Sequence, residues 1–222
     1  MTKLVIFDLD DTLLCADSEF HFTKYIVKQG MLDKDFYLKK IKAFDKDYRS
    51  GNLNFKDYMR FLLYPLIGKT KEEVDLLVSS FINSSKDILI DDLTLELLEK
   101  HKKDDLLIAS GALDFIVKGF ANYFGVHEFL GTKTEFIEDK VTGETTGEPN
   151  FDKGKLAHVS EWCRNRKLNL EMATFYTDSI HDLPLVEKCK NSIVVSPDER
   201  LKKHAEMNNL QIINRAKSNE SK

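Results

Sequence analysis

The chain has 222 residues, with 33 Lys and Arg against 37 Asp and Glu and a formal charge of -4 with His neutral. That length holds one large domain, or a main domain with an insert, and apolar residues at 42% supply core enough without staples. The near-balanced charge offers no basic field for a nucleic-acid backbone, and no apolar run approaches the roughly 20 residues that span a bilayer. Acidic residues interrupt the first apolar stretch, MTKLVIFDLDDTLL, as they would not in a secretory signal. Three cysteines (Cys15, Cys163, Cys189) without CxxC spacing suggest neither a disulfide framework nor a structural zinc. A cytoplasmic location is the expectation.

In chain order, residues 3–9 form a short apolar run rich in β-formers that ends abruptly in carboxylates, the pattern of a buried strand opening onto a site. Residues 18–85 then show helical periodicity almost throughout. Phe20, Phe22, Tyr25 and Ile26 group together and read as the core of this block, as do Phe55, Tyr58, Met59, Phe61 and Leu62; Thr70 with Glu73 fits a capping box. This block is too long for a simple crossover between strands and reads as an inserted helical cap. Further strand-like runs lie at 106–109, 173–177 and 192–195, with a weaker edge strand at 210–213. Helices are predicted at 113–124, closed by Gly125, at 153–166 and at 198–207, with a strand pair or flap over 131–151. The tail after Asn214 is polar and expected to fray. Strands alternating with helices predict a doubly wound parallel sheet.

The sharpest local signal is FDLDDTLL at residues 7–14. Alternate residues leaving a strand share a side, so Asp8 and Asp10 can approach one cavity. Two carboxylates about 4 Å apart repel by roughly 4 kcal/mol at an effective dielectric near 20, so such a pair needs a shared proton or a cation. Taken alone, an acidic loop would explain it. Three other strand-associated segments add to the case: Ser110 with Gly111, where a hydroxyl and backbone N–H groups can meet an anion; Lys155, with Lys153 as its rival, at a helix start; and Asp178 with Asp182, spaced by four. From Lys155 the apolar Val159 and Trp162 fall at helical spacing, which favours it over Lys153. Sites in doubly wound sheets lie beyond the carboxyl ends of the strands, and carboxylates, hydroxyl, cation and carboxylates in that order make a functional set.

These residues, DLDDT at 8–12, Ser110, Lys155 and the Asp178–Asp182 pair, resemble the haloacid dehalogenase superfamily of phosphohydrolases, and the likeness covers nearly the whole chain. The insert directly after the first motif resembles the C1-type cap of the phosphoserine-phosphatase-like branch. YTDSIHDLPLVE at 176–187 and GNLNFKDYMRFLLYPLIG at 51–68 resemble a bacterial subgroup of that branch, described variously as phosphoserine phosphatases, histidinol-phosphatases or general phosphomonoesterases. The resemblance implies a Rossmann-like α/β core over residues 1–16 and 87–222 and a helical cap over 17–86. It implies that Asp8 is a nucleophile forming an aspartyl-phosphate and that Asp10 is the acid and base. It also implies that Mg2+ is held by the Asp8 carboxylate, the backbone carbonyl of Asp10 and the side chain of Asp178. Lys155 and Ser110, with the Gly111 backbone, would hold phosphate oxygens; Asp182 would steer Lys155 or a water on the metal, and Thr12 would hold the motif turn.

The sequence departs from the branch in three places. Asp17, with Glu19 nearby, stands where phosphoserine phosphatases carry a glutamate for the substrate amine. The carboxylate-reading arginine has no clear counterpart, although Arg49 and Arg60 lie in the insert. The second motif reads Ser110-Gly111-Ala112 rather than Ser-Gly-Gly. His181 lies inside the fourth motif. The expectation is a Mg2+-dependent phosphomonoesterase, phosphoserine-phosphatase-like, acting on a small phosphorylated metabolite, with histidinol phosphate or another amino-alcohol or polyol phosphate as alternatives. From another class, the chain could be a non-catalytic phosphate-binding relative. No nucleic-acid or membrane partner is expected, and the chain is expected to be a monomer or weak homodimer.

Overall fold

A computed structural model describes residues 3–216, apart from the side chain of Arg49. The first apolar run forms β1 (Leu4–Phe7), every side chain of which is buried. It pairs in parallel with β2 (Asp105–Leu113) on one side and β6 (Thr174–Thr177) on the other. With β3 (Glu128–Thr132), β7 (Asn191–Val195) and β8 (Gln211–Ile213) the described sheet has six parallel strands in the order β3-β2-β1-β6-β7-β8. Val5 and Phe7 point into one apolar cluster and Leu4 and Ile6 into the other, so the central strand is covered on both faces, as parallel sheets require.

The strands expected from the sequence are present, with three corrections. β1 stops at Phe7 because residues 9–13 wind into a wide turn closed by Leu13 N–H to Asp8 O at 3.3 Å and Leu14 N–H to Leu9 O at 2.8 Å, with Asp11 at φ 53°. β2 does not end near residue 109 but continues to Leu113, pairing with β3 across a register shift, so Ser110 lies inside the strand rather than closing it. β3 itself was not expected: EFLGT is mostly half-buried and carries Gly131, so it presents no apolar run.

Between β1 and β2 the helical block comprises α1 (Ser18–Lys28), α2 (Lys34–Ser50), α3 (Phe55–Leu63) and α4 (Lys71–Leu89), the last running through residue 86. The capping box is formed: Thr70 Oγ1 accepts from Glu73 N–H at 3.2 Å and Glu73 Oε2 from Thr70 N–H at 2.8 Å. Phe22 is buried in the core, with Phe20 and Tyr25 packed against it. A further helix, α5 (Asp92–Lys100), leads back to the sheet. The segment expected as a strand pair is an antiparallel hairpin of β4 (Thr134–Ile137) and β5 (Lys140–Thr145). The remaining helices are α6 (Asp114–Phe124), α7 (Lys153–Asn165), α8 (Leu183–Val186) and α9 (Glu199–Met207). Among the described residues no helix is long and apolar enough to cross a membrane. Of the tail, residues 217–222 lie outside the described residues. Arg215 does not fray: its guanidinium is tucked against the turn that follows β1.

Candidate active site

At the carboxyl ends of β1 and β6, and against the middle of β2, side chains converge on a cavity of about 100 Å³ lined by Asp8, Asp10, Ser110, Lys155, Asp178 and Asp182, among others. Asp8 follows directly on β1, its N–H bonded to Tyr176 O at 2.9 Å, so sheet pairing fixes its position. Lys155 reaches it from the first turn of α7. Its Nζ lies 3.0 Å from Asp8 Oδ1 and 2.6 and 2.8 Å from the two oxygens of Asp182, with all three side chains buried. Lys153 is exposed. The start of α7 fits so closely under the preceding loop that a Cβ on Gly154 would lie 2.0 Å from Pro149 O, a contact no other residue could make.

Burial alone would lower the Lys155 pKa, but Asp182 and Asp8 outweigh it and hold the ammonium above its ordinary range. Burial pushes Asp8 up to about 6, partly offset by Lys155 and increased by Asp182. Thr177 Oγ1 donates to Asp182 at 2.7 Å, so that carboxylate is anchored from two sides. Thr12 Oγ1 donates to Asp178 Oδ1 at 3.0 Å, tying the turn after β1 to the end of β6. Ser110 is buried; its Oγ accepts from Ala112 N–H at 3.1 Å and its carbonyl accepts from the buried Asn150 at 2.8 Å. Gly111 also lines the cavity, where a Cβ would meet the Phe151 ring at 3.4 Å.

The wall on the insert side is different in character. Asp10 Oδ1 accepts from Ser18 N–H at 2.6 Å, Asp17 caps α1 by accepting from Phe20 N–H at 2.7 Å, and the buried Glu19 accepts from Leu113 N–H at 2.9 Å. Burial and then the neighbouring Asp17 raise Asp10 well above the carboxylate range; burial lifts Asp17 to about 6, and burial with Asp17 lifts Glu19 to about 8. Tyr58 stands beside Glu19. Around them lie rings that the sequence did not assign to the site: Tyr48, whose phenol is 2.9 Å from Ser179 Oγ, Phe44, and Phe55 stacked on Phe151 at 4.8 Å. His181 joins this group, its ring 4.8 Å from Phe151 and 5.1 Å from Tyr48, and burial lowers its pKa. Of the two arginines noted in the insert, Arg60 binds Glu144 on β5 at 2.7 Å and the Arg49 side chain lies outside the described residues.

The donor set fits magnesium loosely. Among the described residues no group of three or more His, Cys, Asp or Glu side chains is arranged to hold a metal. The Asp10 carboxylate is engaged by Ser18, and Asp8, Asp11 and Asp178 line the same cavity as further oxygen donors. Few but hard oxygen donors suit Mg2+, which keeps several of its waters. Asp178 is pushed well above the ordinary range by burial, then by Asp8 and Asp11, which is repulsion a divalent cation would relieve.

The sequence pattern of the haloacid dehalogenase-like hydrolases matches residues 5–187. A histidinol-phosphatase of Neisseria meningitidis serogroup C is 30% identical over 220 residues, spanning 96% of this chain and 99% of that protein. Among solved structures, a protein of unknown function from Bordetella pertussis Tohama I aligns with a TM-score of 0.86 at 24% identity, over 96% of this chain and 99% of that one. A substrate-bound phosphoserine phosphatase aligns with a TM-score of 0.70 at 20% identity, over 96% of this chain and 93% of that one. These last two are likenesses of fold. With a family pattern covering most of the chain and a full-length relative at 30%, the chain belongs to the haloacid dehalogenase-like hydrolases.

Proposed function

We propose that the chain is a Mg2+-dependent phosphomonoesterase that hydrolyses a small, ammonium-bearing phosphate ester in two displacements. The observation that carries this reading is a buried lysine shared by two carboxylates, Asp8 at 3.0 Å and Asp182 at 2.6 Å, at the edge of the cavity. Asp8 attacks phosphorus in line as the ester P–O bond breaks, giving an aspartyl-phosphate. Asp10, with its raised pKa, gives its proton to the leaving alkoxide. It then takes a proton from the water that attacks phosphorus and frees Asp8. Lys155, the Ser110 hydroxyl and the Gly111 N–H hold non-bridging oxygens as charge redistributes. Asp182 keeps Lys155 aimed, and Thr12 keeps Asp178 aimed. Asp8, Asp178 and the Asp10 carbonyl would hold magnesium, which would supply positive charge to offset repulsion between an anionic nucleophile and an anionic ester. Residues 17–86 act as a cap that excludes water from the core of residues 1–16 and 87–222.

Two features around the insert-side wall favour an alcohol that carries an ammonium and a flat ring. Glu19 is buried there and Asp17 half-buried, with backbone amides and the Tyr58 phenol as donors, none of which brings a positive charge. The rings of Phe55, Phe151, Tyr48 and His181 can stack a flat heteroaromatic group. Together with the full-length relative named for histidinol phosphate, this ranks histidinol phosphate ahead of phosphoserine. Phosphate release from histidinol phosphate, phosphoserine, ethanolamine phosphate, glycerol phosphate and an aryl phosphate, each with Mg2+, tests both levels. Release from none of them ends the phosphatase reading; release from glycerol phosphate as fast as from the amino-alcohol esters ends the ammonium reading alone.

A further inference from the structure

Beyond the last strand, β8, Arg215 sits far from the cavity in sequence yet touches the turn that bears the nucleophile. We propose that Arg215 is a positioning residue, a clasp that holds the catalytic turn and both chain crossings to the helical insert in one arrangement. Its Cα is fixed by its own N–H to Ser196 Oγ at 2.9 Å, just after Ser196 N–H bonds Ile213 O at 2.8 Å. From there the guanidinium donates to the carbonyl of Thr12, to the carbonyl of Leu14 at 3.0 Å and to Asp91 Oδ1. Its side chain is 10% exposed, and its Nε is buried without a partner, so the group was taken out of water for these three contacts.

The places it touches are the ones that matter for alignment. Leu14 leads into the outgoing crossing and Asp91 ends the returning one; between them Cys15 N–H bonds Leu89 O at 2.9 Å. Asp91 also accepts from Thr94 N–H at 2.9 Å, and Thr94 Oγ1 donates to Leu13 O at 2.6 Å. Every carbonyl from Thr12 to Leu14 is therefore held by a side chain from outside the turn. Thr12 in turn orients Asp178, and Asp10 and Ser18 are bonded across the same crossing. The planar, permanently charged fork places one nitrogen on Asp91 and the other on the two carbonyls, a spread that the single nitrogen of a lysine lacks.

The kinetic consequence rests on the phosphatase reading, whereas the mechanical one does not. The test uses four chains beside the full one: R215A, R215K, a chain ending at Asn214 and a chain ending at Ala216. Turnover of an aryl phosphate with Mg2+, thermal melting and amide hydrogen exchange are measured on each. The chain ending at Ala216 should match the full chain. R215A and the chain ending at Asn214 should lose about tenfold to a hundredfold in kcat, the scale of small misplacements of reacting groups. Exchange should quicken at residues 12–17 and 89–94 and stay unchanged in β1, β2 and β6. R215K, which restores the ion pair but not the carbonyl bonds, should recover thermal stability and not kcat. Full kcat with unchanged exchange in R215A overturns the proposal. So does exchange that quickens evenly through the sheet in R215A and R215K alike, which would make Arg215 a contributor to stability and no more. If the full chain turns over nothing, the phosphatase reading falls and the exchange pattern still decides the clasp.

Discussion

The floor and the insert-side wall of the cavity both hold acids whose pKa burial raises, but give them different partners. On the floor Asp8 and Asp182 share a buried ammonium and Asp178 takes a hydroxyl proton. On the wall Asp10 and Asp17 take backbone amides and Glu19 takes one together with the Tyr58 phenol, so no donor there carries a net charge, and burial lifts Glu19 furthest of the acids with a stated value, to about 8 against about 6 for Asp8 and Asp17. A backbone amide aims a carboxylate but carries no net charge, so it does not offset the loss of water as a lysine does. In our reading the floor handles an anion that must be placed with care, and the wall waits for a cation that arrives with the substrate.

Breaking the floor should have the largest effect. Asp8→Asn removes nucleophilic charge at nearly constant volume, and kcat should fall on the order of a thousandfold or more, with the melting temperature near that of the parent. Lys155→Met should cost on the order of a hundredfold in kcat. It should also cost about 3–5 kcal/mol of stability by urea titration, because it strands Asp8 and Asp182; an equally stable variant would mean the floor is not balanced by this lysine. On the wall, Glu19→Gln should raise KM for an ammonium-bearing ester on the order of tenfold and leave kcat nearly unchanged. KM for an aryl phosphate should not move, and equal losses on both esters would place Glu19 in the fold rather than in recognition.

The smallest effect is on stability against pH. Glu19 and Asp17 hold protons in the folded state, at pKa values of about 8 and about 6, that the unfolded chain releases near 4.5 and 3.8. Their contribution is complete below those lower values and is lost as pH rises through the higher ones. Lys155, with its pKa raised, keeps its contribution throughout that window and loses it only above the ordinary lysine range. Thermal melts between about pH 5 and pH 9 should therefore fall with rising pH in the parent and fall less steeply between about pH 6 and pH 8 in Glu19→Gln, in which the raised Asp10 and Asp178 remain. Parallel curves for the two proteins would contradict the wall's charge state.

How much of this was legible in the sequence follows from where each partner lies. LVIF at residues 4–7 is readable because a central parallel strand is apolar on both faces, and the acids after it stand out as an interruption. β3 is mostly half-buried and glycine-bearing, so nothing in its composition marks it. Only two residues separate α5 from α4, with the Asp91–Thr94 capping box the only break. Helical spacing favoured Lys155 over Lys153, but the packing of Gly154 beneath Pro149 O that sets the helix start is a tertiary contact. Phe55 and Tyr58 were visible as apolar residues; which of them would face the cavity depends on how α3 rolls against the core. Arg215 was hidden most completely, since the carbonyls it binds lie 203 and 201 residues earlier in the chain.

The central claim is that Asp8 carries the phosphoryl group between the two displacements. Enzyme mixed with a turning-over ester and Mg2+, quenched in acid, reduced with borohydride and mapped by peptide mass spectrometry, tests it directly, because reduction turns an acyl phosphate into homoserine. Homoserine is expected at position 8, dependent on substrate and absent in Asp8→Asn. Steady turnover with position 8 unmodified, or with the phosphoryl group on Ser110, would contradict it.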